Sequence, residues 1–318
     1  MPHASSGAGD RLDIEIPCGG HTLSAWHFPA ATDPLTTDRG RPAVVLAHGY
    51  GLTRDCGLDA YGARFAAAGI DAVIFDYSGF GASGGGPREV VSVRAQLFDY
   101  QAAIAATRAL PGIDPDRVAL WGTSYSGGLV IAAAALDGRI AAVVSQVPNL
   151  DNRATLRFLL RNTPPRRTAW LVSCIARDLG RAVLRRDPYH VQAVGRSDEQ
   201  AAYVSDLSWP FVEAIAGPTW RNRVGLRDFA TVPLFRAVTY LDRLPCRVQF
   251  FGCERDDLTP VQPTLDAADR LGDKAELHRY PAGHFEIYGE PYFSRALDAQ
   301  EEFLVCELAA SISSERTR

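Results

Sequence analysis

Hydrophobic positions along the chain fall into two kinds of pattern. Leu12–Ile16 and Thr22–Phe28 alternate apolar with polar residues, which predicts two strands with one face on a core. Ala43–Ala47, Ile70–Phe75, Val118–Trp121 and Ile140–Val144 are instead short continuous apolar runs, which predict strands buried on both faces. Between these runs lie stretches of helical periodicity. They are residues 57–68, Val90–Leu110 (with Val93, Leu97, Tyr100, Ile104 and Leu110 at near-helical spacing) and the small-residue stretch Gly127–Leu136. Strands and helices alternate with short connections, the signature of an α/β fold with a mostly parallel central sheet and helices on both faces.

The alternation stops after Val147 and returns at Arg247–Phe251, Pro263–Leu271, Glu276–Tyr280 and Phe293–Leu308. Residues 151–231 show few buried-strand runs. They hold the helix-like stretches Leu156–Leu160 and Ala169–Leu184, with loops rich in Pro, Arg and Trp. The economical organisation is one α/β core, residues 1–150 and 232–318, interrupted by a helical cap insertion over 151–231. Residues 1–10 read as a loose terminus, and 30–41 as a polar loop.

Composition narrows the function classes. With 47% hydrophobic and 22% charged residues in 318, the chain is ordinary globular protein, neither disordered nor fibrous. The net charge of -4 gives no basic footprint, so no nucleic-acid partner is expected. No apolar run approaches the roughly 20 residues of a membrane span, and residues 1–10 carry no targeting pattern, so a cytoplasmic location is expected and no membrane. The six cysteines include no C-x-x-C pair and read as free thiols. No His, Cys and carboxylate cluster has metal-ligand spacing, and no G-x-G-x-x-G opens a strand–helix unit. Neither a metal nor a nicotinamide cofactor is expected.

The chemistry concentrates in Leu120-Trp121-Gly122-Thr123-Ser124-Tyr125-Ser126-Gly127-Gly128, between a predicted strand and a predicted helix. A serine on so sharp a turn exposes its Oγ above the sheet and needs small residues two before and two after it. Gly122 and Ser126 meet that need. Upstream, Ala47-His48-Gly49-Tyr50-Gly51 ends a buried strand, and its two glycines let a backbone N–H approach a substrate oxygen. Each motif alone also reads as a tight glycine-rich turn.

Together with Asp76-Tyr77-Ser78-Gly79-Phe80-Gly81-Ala82-Ser83, these motifs resemble those of serine hydrolases of the α/β-hydrolase superfamily, over about Arg41 to Leu308. Ser78 stands where that family usually has arginine, and Ser126 where the broad family has glycine. The form G-T-S-Y-S-G-G is similar to a branch holding dienelactone-hydrolase-like and acyl-peptidase-like enzymes and hydrolase-fold proteins of polyketide pathways. Gly217-Pro218-Thr219-Trp220-Arg221-Asn222 and Gly283-His284-Phe285-Glu286-Ile287-Tyr288 also resemble that branch. The resemblance implies a nucleophile, an acid and a base in the chain order Ser, Asp, His. That order implies Ser124, then Asp256 four residues before Pro260 with Asp257 as alternate, then His284. It implies the backbone N–H groups of Tyr50 and Tyr125 as oxyanion donors. His48 is then a loop-shaping residue, since its place in the order is wrong. His3, His21, His27, His190 and His278 are weaker candidates.

The implied activity is acyl transfer on a small-molecule ester or thioester through an acyl-enzyme, without a cofactor. An acyltransferase, cyclase or C–C bond hydrolase of a natural-product pathway would use the same residues. A non-catalytic ligand receptor on the same fold is a third reading, disfavoured by the complete residue set. The insertion carries Phe158, Trp170, Tyr189, Tyr203, Trp209, Phe211 and Trp220, which suit an apolar substrate or simply pack the cap together. Arg177, Arg181, Arg185 and the pair Arg166-Arg167 read first as a solvated face, with an anionic substrate or a carrier protein as the alternative. Oligomeric state is left open, a homodimer included.

Overall fold

The continuous apolar runs become the middle of an eight-stranded sheet. The structure is a computed structural model describing residues 11–313, so the N-terminal segment read as a loose terminus lies outside the described residues. β1 (Leu12–Cys18) and β2 (His21–Phe28) form an antiparallel hairpin. There follow β3 (Arg41–Ala47), α1 (Asp59–Ala67), β4 (Asp71–Phe75), α2 (Val93–Arg108), β5 (Ile113–Thr123), α3 (Tyr125–Asp137) and β6 (Ala142–Gln146). The inserted residues form α4 (Asn152–Asn162), α5 (Pro165–Val183), β7 (His190–Gly195), β8 (Ala201–Val204), α6 (Trp209–Ile215) and β9 (Val224–Gly225). Short 3-10 turns lead back to β10 (Arg247–Cys253), α7 (Gln262–Leu271), β11 (Ala275–Tyr280) and α8 (Tyr292–Ser313).

The main sheet runs in the order β1-β2-β4-β3-β5-β6-β10-β11, parallel from β4 through β11. Because successive side chains point to opposite faces, each central strand feeds two cores. Ala43, Val45 and Ala47 join Tyr100 and Ile104 of α2 and Leu129 of α3 on one face. Val44 and Leu46 join Tyr61 and Phe65 of α1 and Leu304 and Leu308 of α8 on the other. No helix among the described residues is long and apolar enough to cross a membrane.

The inserted segment is not purely helical. β8, β7 and β9 make a second, three-stranded sheet that hydrophobic periodicity does not foretell. His190–Gly195 reads HVQAVG, too short and too mixed to show a clear period, and β8 is shorter still. Two buried carboxylates hold the segment. Asp151 caps α4 by accepting from the N–H groups of Arg153 (3.0 Å) and Ala154 (3.3 Å), and it pairs with Arg236 beyond the segment's far end (2.7 Å). Asp178, fully buried on α5, accepts from Tyr189 N (2.7 Å), Arg227 N (2.8 Å) and the Arg227 guanidinium (2.9 Å). Burial alone would raise the Asp178 pKa, but the Arg227 side chain and the two N–H groups outweigh it and hold it below the ordinary 3.8.

A carboxylate whose folded pKa is depressed stabilises above its unfolded value, and that contribution is lost as pH falls through the folded one. Asp178→Ala also strands the Arg227 charge, a loss of about 3 kcal/mol for a buried pair. Hydrogen exchange is expected to show lost protection in α5 and β7 in this variant, and in the wild type below about pH 4. The strands of the main sheet should keep theirs. Equal loss in both sheets would refute a local role.

Candidate active site

The carboxyl ends of β3, β5, β10 and β11 deliver the candidate residues to one edge of the sheet, where open α/β sheets bind ligands. Ser124 follows β5 and precedes α3 with φ 56° and ψ −119°, a backbone conformation rare for a residue with a side chain. Its N–H donates to Gln146 O (2.8 Å), and its carbonyl accepts from Asn149 N (2.8 Å). The turn requires Gly122, where a Cβ would lie 2.4 Å from the Ser126 carbonyl oxygen.

His284 Nε2 lies 2.9 Å from Ser124 Oγ, and His284 Nδ1 lies 2.6 Å from Asp256 Oδ2. Both the imidazole and the carboxylate are almost wholly buried. Asp256 is fixed by Leu258 N (2.9 Å) and Thr259 N (2.7 Å) on Oδ1 and by the Thr259 hydroxyl (2.9 Å) on Oδ2. An ionised carboxylate only accepts, so the imidazole carries its proton on Nδ1 and turns the Nε2 lone pair toward Ser124. The neighbouring acids face elsewhere. Asp257 accepts from the hydroxyls of Ser205 (2.5 Å) and Ser208 (3.4 Å) of the inserted segment, and Glu254 pairs with Arg279 (2.7 Å). Geometry thus brings Asp256, and not Asp257, to His284.

On the other side of Ser124, His48 shapes the loop. Its Nδ1 accepts from Gly49 N (2.8 Å), and its Nε2–H donates to Cys56 O (3.0 Å). The ring stacks on Tyr288, and burial pushes its pKa down to about 4, so it is neutral at ordinary pH. Because His48 occupies the Gly49 N–H, the next N–H, that of Tyr50, is left over. Tyr125 is the first residue of α3, where an N–H has no intrahelical acceptor. Among the described residues neither N–H donates to a protein group. A narrow cleft of ≈ 40 Å³ opens here, walled by Tyr50, Tyr125, Asn149 and Phe285 and by Val194 and Tyr203 of the inserted segment.

The two departures from the expected motifs have local explanations. The Ser126 hydroxyl is buried against those of Tyr100 (2.6 Å) and Tyr77 (2.9 Å). Ser78 donates its hydroxyl to Asp99 (2.6 Å), while Arg54 supplies the cation that Asp76 holds (2.6 Å).

Of the seven aromatics named in the insertion, Tyr203 lines the cleft. Trp220 donates its indole N–H to Gly51 O (2.9 Å), and Tyr189 packs beneath Arg177. Arg167 is bound to the carbonyls of Glu199 and Ala201, and Arg181 to that of Asp187 (2.7 Å). His27 pairs with Asp71, His190 with the Arg88 carbonyl and His278 with Glu276. His3 lies outside the described residues.

The fold does assemble one cluster that linear spacing conceals. Polar atoms of Cys18, His21 and Asp99 lie within 4.8 Å of one another. They are engaged with each other and with Ser78: the Cys18 thiol donates to Asp99 (3.4 Å) and Ser78 Oγ accepts from His21 Nε2 (2.6 Å). Burial first, then Asp99, pushes the thiol's pKa up to about 12.

Residues 44–298 match the alpha/beta hydrolase family. The chain belongs to that family. It is 35% identical to the quorum-quenching protein AidA of Acinetobacter baumannii (strain MDR-ZJ06), over 92% of this chain and 94% of that one. It is 26% identical to the thiohydrolase aneE of Aspergillus aculeatus (strain ATCC 16872 / CBS 172.66 / WB 5094), over 86% and 87%. The crystal structure of the alpha/beta hydrolase GrgF from Penicillium sp. sh18 superposes with a TM-score of 0.77 at 24% identity, covering 94% of this chain and 99% of that one. The hydrolase described here is therefore an enzyme of this fold.

Sequence reasoning did not single out Thr259, and it read Gly49 only for the freedom it gives its loop. Thr259 orients Asp256 from three residues downstream, a signal visible only once the acid is chosen. Gly49 backs directly on the nucleophile turn, and a Cβ there would sit 3.0 Å from both Ser124 Cβ and Thr123 O. Gly49→Ala is expected to lower stability by about 1–3 kcal/mol through overpacking against backbone. Chemical denaturation measures this, and an unchanged midpoint would contradict the contact.

Proposed function

We propose that this enzyme is a serine hydrolase that transfers acyl groups from carboxylic esters or thioesters. The observation that carries the reading is the hydrogen-bonded series Ser124–His284–Asp256 with two unclaimed backbone N–H groups beside its nucleophile end. Ser124 Oγ attacks the substrate carbonyl while His284 Nε2 takes its proton. Asp256 holds the imidazole in that tautomer and stabilises the cation that forms. The N–H groups of Tyr50 and Tyr125 receive the oxyanion, each worth about 3 kcal/mol of barrier. His284 then protonates the departing alcohol or thiol. The acyl-enzyme is released by water that His284 deprotonates, or by a second nucleophile in the same place.

Residues 151–231 act as a cap over this site, contributing Val194 and Tyr203 to its walls. The thioester class is supported by relatives named thiohydrolase, and the transfer alternative by relatives named polyketide transferase, such as grgF of Penicillium sp, 25% identical over 91% of this chain.

Intact mass after incubation with a fluorophosphonate tests the nucleophile. One adduct is expected on the wild type and none on Ser124→Ala. An unmodified, folded wild type would count against acyl transfer and for a ligand receptor. The two acids separate by kinetics: Asp256→Asn is expected to lower kcat by about 10⁴-fold. Asp257→Asn touches only the contact with Ser205 and Ser208 and should fall far less. Similar losses in both would reject Asp256 as the orienting acid.

A further inference from the structure

Helix α5 is apolar on two sides. Leu171, Cys174 and Ile175 pack on the core, and Asp178 beside them holds Arg227. Val172, Ala176, Leu179 and Val183, spaced i, i+4, i+7 and i+11, form a second stripe that faces out. Val172 is 58% exposed, Leu179 38%, Val183 82% and Leu184, just past the helix, 64%. Leu156 and Leu160, one turn apart on α4, are exposed as well. More than half of the large apolar side chains exposed among the described residues lie between Leu156 and Leu184, where a surface helix ordinarily turns polar residues to water.

Positive charge is concentrated on the same stretch. Residues 152–186 hold nine arginines and one acid, Asp178, in a chain whose net charge is -4. Asp178 is buried against Arg227, so it offsets none of the nine. Among the described residues none of the nine pairs with a carboxylate. Most arginines elsewhere do, such as Arg108 with Asp137 (2.7 Å) and Arg117 with Asp114 (2.9 Å). Where the nine are held, their partners are neutral: Arg167 and Arg181 reach backbone carbonyls, and Arg177 lies over the Tyr189 ring (4.1 Å).

We propose that α5 docks this protein on an anionic phospholipid bilayer, with Val172, Leu179, Val183 and Leu184 in the acyl boundary and the arginines among the headgroup phosphates. From Val172 to Val183 the stripe runs about 16 Å, three turns of a helix lying in the interface plane. Arginines beside such a stripe lay their stems on apolar surface and reach phosphate with their heads. A second copy of this chain, paired stripe to stripe, would set arginine against arginine. A nucleic acid would meet the charge and leave the stripe uncovered. An anionic bilayer accommodates both. The lack of a spanning segment, on which the expectation of no membrane rested, does not count against a helix that lies on the surface. Docking needs no catalysis and stands apart from the acyl-transfer reading.

The test is co-sedimentation of the full chain with vesicles of phosphatidylcholine alone, or of phosphatidylcholine and phosphatidylglycerol in equal parts. The wild type should bind the anionic vesicles and not the neutral ones, and added salt should weaken the binding. Val183→Ser combined with Leu184→Ser removes side chains that are mostly exposed, so the melting temperature should hold while binding falls about tenfold or more. Arg185→Gln combined with Arg186→Gln should lower binding about fivefold per arginine. Arg94→Gln, at an exposed arginine of α2, should change nothing. Wild type that ignores anionic vesicles, an apolar variant that still binds as wild type does, or an Arg94 variant that loses as much as the Arg185 and Arg186 pair would each overturn the proposal. A lowered melting temperature in the apolar variant would also overturn it, by showing that the two side chains are packed. Light scattering that finds a lipid-free dimer, broken by the apolar variant, would assign the stripe to a second copy instead. Duplex DNA that draws the protein off the vesicles would assign the arginines to nucleic acid.

Discussion

Ser124 occupies backbone space that a side-chain-bearing residue enters at a cost on the order of 1–3 kcal/mol, and the surrounding architecture is what sustains it. The parallel pairing of β5 with β3 and β6 fixes where the strand ends. Gln146 O and Asn149 N clamp the serine's own peptide groups. Gly122 and Gly49 leave the room through which the chain reverses. The reversal at Ser124 starts α3 immediately afterwards, so the first free N–H of that helix belongs to the residue next to the proposed nucleophile. Loss of the strained turn would remove together the exposure of Ser124 and the Tyr125 N–H proposed as an oxyanion donor.

The inserted segment is tied to both halves of this arrangement. Thr219 N donates to Asp55 (2.8 Å) and Trp220 to Gly51, which clips the segment to the loop that carries the Tyr50 N–H. Ser205 and Ser208 hold Asp257, one residue after the acid that orients His284. If residues 151–231 act as the proposed cap, these contacts join it to the two loops that carry the proposed oxyanion donor and orienting acid. The cleft of ≈ 40 Å³ holds only a few waters.

Much of this was legible in the chain because it rests on short-range rules. Strands buried on both faces must be continuous apolar runs, which exposed β3, β4 and β6, and a serine elbow must be flanked by small residues, which exposed Ser124. The order of motifs was enough to pair His284 with it. What escaped depends on contacts made across the fold. The second sheet is stabilised by packing and by Asp178, not by any period in HVQAVG. Choosing Asp256 over Asp257 took a family likeness, because two adjacent acids in a turn look alike until one faces the imidazole and the other the cap hydroxyls. The Cys18, His21 and Asp99 cluster joins a hairpin to a helix far along the chain, so linear spacing concealed it.

The departures from the family motifs bear on whether the site is intact. A serine in place of glycine two residues after the nucleophile adds a hydroxyl at the tightest part of the elbow, fully buried. Left unpaired it would weaken the turn. Tyr77 and Tyr100 both reach it, and Tyr100 also approaches Trp121 O (3.2 Å) on β5, so the substitution cross-links the loop after β4, helix α2 and the nucleophile strand. Ser78 follows the same logic: it gives up a charge, Arg54 restores the charge to Asp76, and the freed position binds Asp99 at the start of the hairpin contact. Each departure from the family motif is matched by contacts from neighbouring segments. A decayed site would leave such groups orphaned.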